Sequence, residues 1–200
     1  MTASVHPSDD YLVARIATGD REAFATLYRR RRLDVYRFAL HVSGSRSAAD
    51  DVTQDVFMAI IDDAARYQPG RSGVVAWLLG IARNHVRRWT ARERPARSLP
   101  RDDSAAARTV AVDTDPLPGL ARQQHAAALR RAVLALPVKY REAVVLCDLH
   151  ELSYADAAHT LGCAVGTVRS RLHRGRTLLA GRLRGSDDAE FRSLATRWIL

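Results

Sequence analysis

The chain has 200 residues, 47% of them hydrophobic, and a formal net charge of +9. That size holds one large domain or two small ones with packed cores, and the charge calls for a polyanionic partner, nucleic acid before anionic membrane. No apolar run is long enough for a transmembrane helix, and Cys147 and Cys163 alone make no disulfide framework.

The start, MTASVHPSDD, lacks the basic and apolar segments of a signal peptide, so a cytoplasmic protein is expected. Lys139 is the only lysine. Phosphate recognition and a GC-rich coding bias explain the arginine excess equally well. Asp9 or Asp10 is placed to cap a short helix carrying Leu12, Val13 and Ile16. Asp20 caps a longer one with Phe24, Leu27, Tyr28, Val35, Phe38 and Val42 on one stripe. Arg29 to Arg32 point to all sides of that helix, which fits a solvated or phosphate-facing role better than base readout.

Ser43-Gly44-Ser45 breaks the chain and Ser47 is expected to cap the next helix. Its core stripe is Val52, Val56, Ala59 and Ile60. Asp51, Gln54, Asp55 and Asp62 lie outside that stripe. This acidic face reads either as capping and solvation or as a docking face for a basic helical partner. Tyr67 to Gly73 is turn-rich. The helix after it turns Trp77, Leu78, Ile81, Ala82, Val86 and Trp89 inward and Arg83, Asn84, Arg87 and Arg88 outward.

From Pro95 to Gly119 the periodicity stops and prolines accumulate, which predicts a linker. Its aspartates, Asp102, Asp103, Asp113 and Asp115, outnumber its arginines. It reads as a plain soluble spacer, or as an acidic strand suited to a basic protein channel or to folding over a basic face of this chain. A helix with Leu129, Val133 and Leu136 inward follows, and Pro137 starts another that packs Val144, Val145 and Leu149. The tail from Gly185 to Leu200 carries a short amphipathic stripe, Phe191, Leu194, Ala195, Trp198 and Ile199.

Leu152 to Arg176 reads as helix, turn, helix. Ser153 caps the first helix, with Asp156 as a shortened capping box. Ala158 is small where the helices cross, Gly162 makes the left-handed turn, and Val165, Val168, Leu172 and Leu179 face inward. The opposite face of the second helix carries Gly166, Arg169, Ser170, His173 and Arg174. Donors there suit base edges and phosphates in a major groove. Gly175 is expected to cost about 1 kcal/mol in an exposed helix interior.

With LPVKYREAVVLCDL before it, this segment resembles the C-terminal domain of an extracytoplasmic-function sigma factor. AADDVTQDVFMAII resembles the core-polymerase-binding helix of sigma domain 2, and VVAWLLGIARNHVRRW its promoter-melting helix. The resemblance covers about Asp9 to Leu183. It implies an all-α fold of two small helical domains: 1–94 as sigma domain 2, a flexible linker over 95–119, and 120–184 as sigma domain 4, before a tail over 185–200. It implies that Asp51, Gln54 and Asp55 bind polymerase. It also implies that Arg83, Asn84, Arg87 and Arg88 meet the minus-ten element. Thr167, Arg169, Ser170, Arg171, His173 and Arg174 would read the minus-thirty-five element. The implied partners are the RNA polymerase core, through the clamp and flap of its large subunits, promoter DNA and an anti-sigma factor, with no membrane insertion.

No catalytic constellation, phosphate loop or cofactor motif is present. Cys147, His150, His159 and Cys163 have the residue types of a zinc set, but two of them fall at packing positions, so no metal is expected. A stand-alone helix-turn-helix regulator would explain Leu152 to Arg176, but neither the acidic helix nor the one at Val74.

Overall fold

The computed structural model describes residues 7–93 and 127–183. The expectations for the 95–119 linker and the 185–200 tail lie outside these residues. Among the described residues there is no strand. Four helices form the first group: α1 (Asp9–Ile16), α2 (Arg21–Ser43), α3 (Arg46–Asp63) and α4 (Val74–Glu93). The second group is α5 (127–134), α6 (Val138–Val144), α7 (Tyr154–Leu161) and α8 (Val165–Leu183). The fold is therefore all-α, in two helical domains, as expected.

Helix starts follow side-chain caps that accept the otherwise unpaired first amides. Asp20 does this for α2, taking the amides of Glu22 and Ala23 at 2.9 and 3.0 Å. Two caps differ from expectation. Ser8 rather than Asp9 or Asp10 caps α1, and Ser45 rather than Ser47 caps α3. The displaced aspartates remain in the first turn of α1, where the helix dipole still favours them.

Leu27, Val35, Phe38, Val52, Val56, Ile60, Leu78, Leu79, Ala82 and Val86 form the core of the first group. Val133, Leu136, Val144, Val145, Leu146, Leu161, Val168, Leu172 and Leu179 form that of the second. The two cores are continuous, because the groups pack on each other through α2 and α4. Arg141 fastens this junction. Its guanidinium donates to Val42 O at 2.6 Å at the end of α2, to Leu136 O at 3.0 Å and to Leu134 O. It thus serves carbonyls that helix termini leave unpaired. Phe38 meets the edge of His150 with ring centres 6.0 Å apart.

The run Arg29 to Arg32 is not uniformly solvated. Asp9 pairs with Arg30 at 2.6 Å and Arg31 at 2.5 Å, tying α1 to α2. Arg29 and Arg32 stay exposed.

Candidate promoter and polymerase surfaces

α7 and α8 form the helix-turn-helix. Ser153 Oγ accepts the Asp156 amide at 3.0 Å and donates to Asp156 Oδ2 at 2.7 Å, a local capping pair. Gly162 sits at φ +63, the left-handed turn that a side chain would strain. The chain enters α7 from α6 through a π-helical turn, Val145–Leu149, after which Glu151 takes φ +54.

α8 separates its predicted DNA residues. Arg169, Ser170, His173 and Arg174 are exposed together. The Arg169 guanidinium lies 5.8 Å from the centre of the Tyr154 ring, which steadies its long side chain. Arg174 hydrogen-bonds Tyr140 and holds that phenol below its usual range, with Lys139 adding to the effect. Ser170 donates its hydroxyl to Thr167 O at 3.0 Å. Thr167 is half-buried. Arg171 is also half-buried and turns back toward Cys163 Sγ, at 3.9 Å, away from the exposed face.

Gly175 is buried, not exposed as expected. A Cβ there would lie 2.7 Å from Val144 Cγ2 and 3.3 Å from Tyr140 O, so α6 crosses α8 at this glycine. Asp148 holds Arg176 one turn along, at 2.6 Å, and pins the same crossing.

α3 exposes Asp51, Gln54 and Asp55. Asp55 is paired with His85 of α4 at 3.1 Å. Beside this face runs a groove between α2 and α3 whose apolar lining is Phe24, Tyr28, Leu33, Tyr36, Phe57 and Met58, with Arg29, Arg32, Asp50, Thr53 and Gln54 completing its walls. Leu33 and Met58 are 50% and 59% exposed, so apolar surface borders the carboxylates.

On α4, Asn84, Arg87 and Arg88 are exposed, and Trp89 is half-buried as the inward stripe continues. Arg83 departs from expectation. Its Nε donates to Glu142 Oε1 at 3.0 Å, with side-chain exposures of 13% and 5%. A buried carboxylate is costly unless paired, and here the pair spans the two domains. Sequence reading missed Glu142. Its signal was a lone acid three residues before Val145 and seven before Leu149, in register with an apolar stripe. Tyr140 and Tyr154, which steady Arg174 and Arg169, carried no comparable signal.

Cys147 is half-buried, and burial pushes its thiol up to about 11. Among the described residues no group of three or more His, Cys, Asp and Glu is placed to hold a metal ion, and no helix is long and apolar enough to cross a membrane.

Residues 27–95 match the sigma-70 region 2 family and residues 126–179 match sigma-70 region 4. A helical unit of each kind in one chain defines the class, a sigma-type transcription protein. Among curated proteins the chain is 37% identical to the ECF RNA polymerase sigma factor SigE of Mycolicibacterium smegmatis, covering 88% of this chain and 69% of that protein. It is 36% identical to SigC of Mycobacterium tuberculosis over 90% of this chain and 94% of that one. Among solved structures it resembles CnrH in complex with the cytosolic domain of CnrY, with a TM-score of 0.66, 26% identity and coverage of 90% and 100%. It also resembles the sigma factor RpoE of Bartonella quintana bound to the anti-sigma factor NepR, with a TM-score of 0.62, 28% identity and coverage of 82% and 98%. The chain belongs to the ECF RNA polymerase sigma factor family. It is a transcription initiation factor whose partners are RNA polymerase and promoter DNA, in a family of non-enzymatic regulators. The stand-alone regulator reading is not favoured.

Proposed function

We propose that the two domains divide the work between two surfaces, and that the chain itself has no catalytic activity. Residues 1–94 dock on the polymerase clamp through Asp51, Gln54 and Asp55, and the carboxylates attract a basic helix. The apolar side chains of the mixed groove beside them supply burial, which charge alone does not, since exposed ion pairs contribute little. Residues 120–184 read the upstream promoter element and meet the polymerase flap. Arg169 and His173 lie toward base edges and Arg174 further along toward the backbone, as a helix seated in a major groove would place them. Asn84, Arg87 and Arg88 contact the opened downstream element. Arg83 joins them when it leaves Glu142.

The observation that carries this reading is the common exposure of Arg169, His173 and Arg174 on one face of α8. The protein acts in the cytoplasm, where polymerase is. An anti-sigma factor is a fitting regulator, since the sigma factor RpoE resembles this chain and is held in a complex with the anti-sigma factor NepR. The test is run-off transcription with purified core polymerase on fragments of the host genome. Asp51→Arg with Asp55→Arg is expected to abolish both transcription and core co-purification, while DNA binding by the helix-turn-helix persists. Undiminished co-purification refutes the docking assignment.

A further inference from the structure

Tyr154 is the first residue of α7 and is 39% exposed. Its backbone is held on both sides. Ser153 accepts the Asp156 amide and fixes the first turn, and the left-handed Gly162 sets how α7 meets α8. The ring is thereby presented to the early part of α8, where the Arg169 guanidinium lies 5.8 Å from its centre. Among the described residues, Arg169 is the only cation of the exposed α8 face that lies over an aromatic ring. No hydrogen bond or ion pair among them takes any of its N–H groups. The other arginines nearby differ. Arg171 turns an N–H toward Cys163 Sγ at 3.9 Å, and Arg174 hydrogen-bonds Tyr140.

We infer that Tyr154 is a positioning residue that gives Arg169 its base selectivity, because it aims the guanidinium while leaving the whole N–H fork free for a guanine edge. This rests on the assignment of the exposed α8 face to duplex DNA. A cation over a ring is held by the negative face of the π-system, and that attraction uses no donor. A bidentate bond to guanine needs a pair of N–H groups at a fixed spacing and direction. An arginine held by a hydrogen bond has already committed part of its fork. Arg169 is aimed and still uncommitted.

The ring acts on selectivity more than on affinity. A guanidinium without it samples many rotamers, and ordering them on DNA costs entropy that the ring removes beforehand. Phosphates flank the groove on both sides, and a single N–H in almost any direction satisfies one. A freed Arg169 therefore falls onto the backbone. Loss of the ring converts a base contact into a phosphate contact and does not delete it.

The experiment uses the full chain and duplexes carrying the upstream element it selects from a randomised library. Every single-base variant of that element is measured at several salt concentrations, and circular dichroism confirms that each protein variant is folded. Tyr154→Phe keeps the ring and is expected to bind as the parent chain does. Tyr154→Leu is expected to lose roughly two- to five-fold in discrimination at the base positions that Arg169→Ala relaxes. Its salt dependence is expected to rise by about one phosphate contact, which a merely loosened fold does not produce. In an Arg169→Ala background, Tyr154→Leu is expected to change nothing further. A loss in that background overturns the proposal by showing that the ring touches DNA itself, and a loss in Tyr154→Phe overturns it by showing that the hydroxyl is what matters. Undiminished discrimination in Tyr154→Leu, with Arg169→Ala still relaxing it, overturns it as well. If Arg169→Ala itself leaves discrimination intact, the assignment of α8 to base edges fails, and the positioning role fails with it.

Discussion

Gly175→Ala sets two effects against each other with opposite signs. Alanine is favoured over glycine in a helix interior by about 1 kcal/mol. On sequence grounds alone the substitution stabilises. The structure puts the new Cβ 2.7 Å from Val144 Cγ2 and 3.3 Å from a backbone oxygen, Tyr140 O. Neither neighbour is a flexible chain end. Val144 is fully buried and β-branched, and Tyr140 O belongs to the backbone of α6. Overpacking of this kind costs roughly 1–3 kcal/mol. The net expectation is destabilisation by up to about 2 kcal/mol, with α8 displaced along its crossing with α6. Urea unfolding of the full chain, followed by circular dichroism, measures it. Val144→Ala in the same background removes the clashing methyl. The double variant should therefore lose about 1 kcal/mol less than the two single losses added together. Stabilisation by Gly175→Ala, or strict additivity in the cycle, would refute the close-packing argument.

On the DNA side, Arg169→Ala is expected to lose roughly 1–3 kcal/mol on the preferred upstream element and to relax selectivity at one or two base positions. Arg174→Ala should weaken all sequences evenly and lower the salt dependence by about one phosphate contact. Affinities across single-base variants at several salt concentrations separate the two, and an even loss for Arg169→Ala refutes its base-reading role. His150 gives a pH prediction. Burial lowers its pKa to about 4, with His41 and Arg37 adding to the effect and Asp34 opposing it. The fold holds the neutral ring, while the unfolded chain takes up a proton near the ordinary value of about 6.5. Stability therefore falls as pH drops through 6.5 and levels off below about 4. Between pH 7 and pH 5 the His150 contribution falls by roughly 2 kcal/mol, so the loss should be clearly smaller in His150→Gln, where only His41, also lowered by burial, still contributes; an undiminished loss in that variant refutes the assignment. Cys147, with its thiol raised to about 11, should react with iodoacetamide at mildly alkaline pH far more slowly in the native chain than in urea. Equal rates would refute its protection.

What the sequence made legible is what depends on near neighbours. The helices of the first domain and the helix-turn-helix followed from apolar spacing, and Ser153 and Gly162 bound α7 as their chemistry requires. Caps slipped by a residue or two where several suitable side chains stood together, as at Ser8-Asp9-Asp10 and Ser45-Arg46-Ser47, because each can accept the same amides. The larger departures are all non-local. Arg30 and Arg31 find Asp9 more than twenty positions away, and Arg83 finds Glu142 fifty-nine positions away. Gly175 is explained only by a helix that crosses it. An outward arginine and an arginine covered by another domain have the same helical spacing, so periodicity cannot distinguish them. The distinguishing residue is the partner. Glu142 interrupts an apolar stripe, and a charge at an inward position requires an opposite charge somewhere in the fold. That requirement makes Glu142 the better starting point. Its burial states that a cation must come to it, and Arg83 is the cation the other domain supplies.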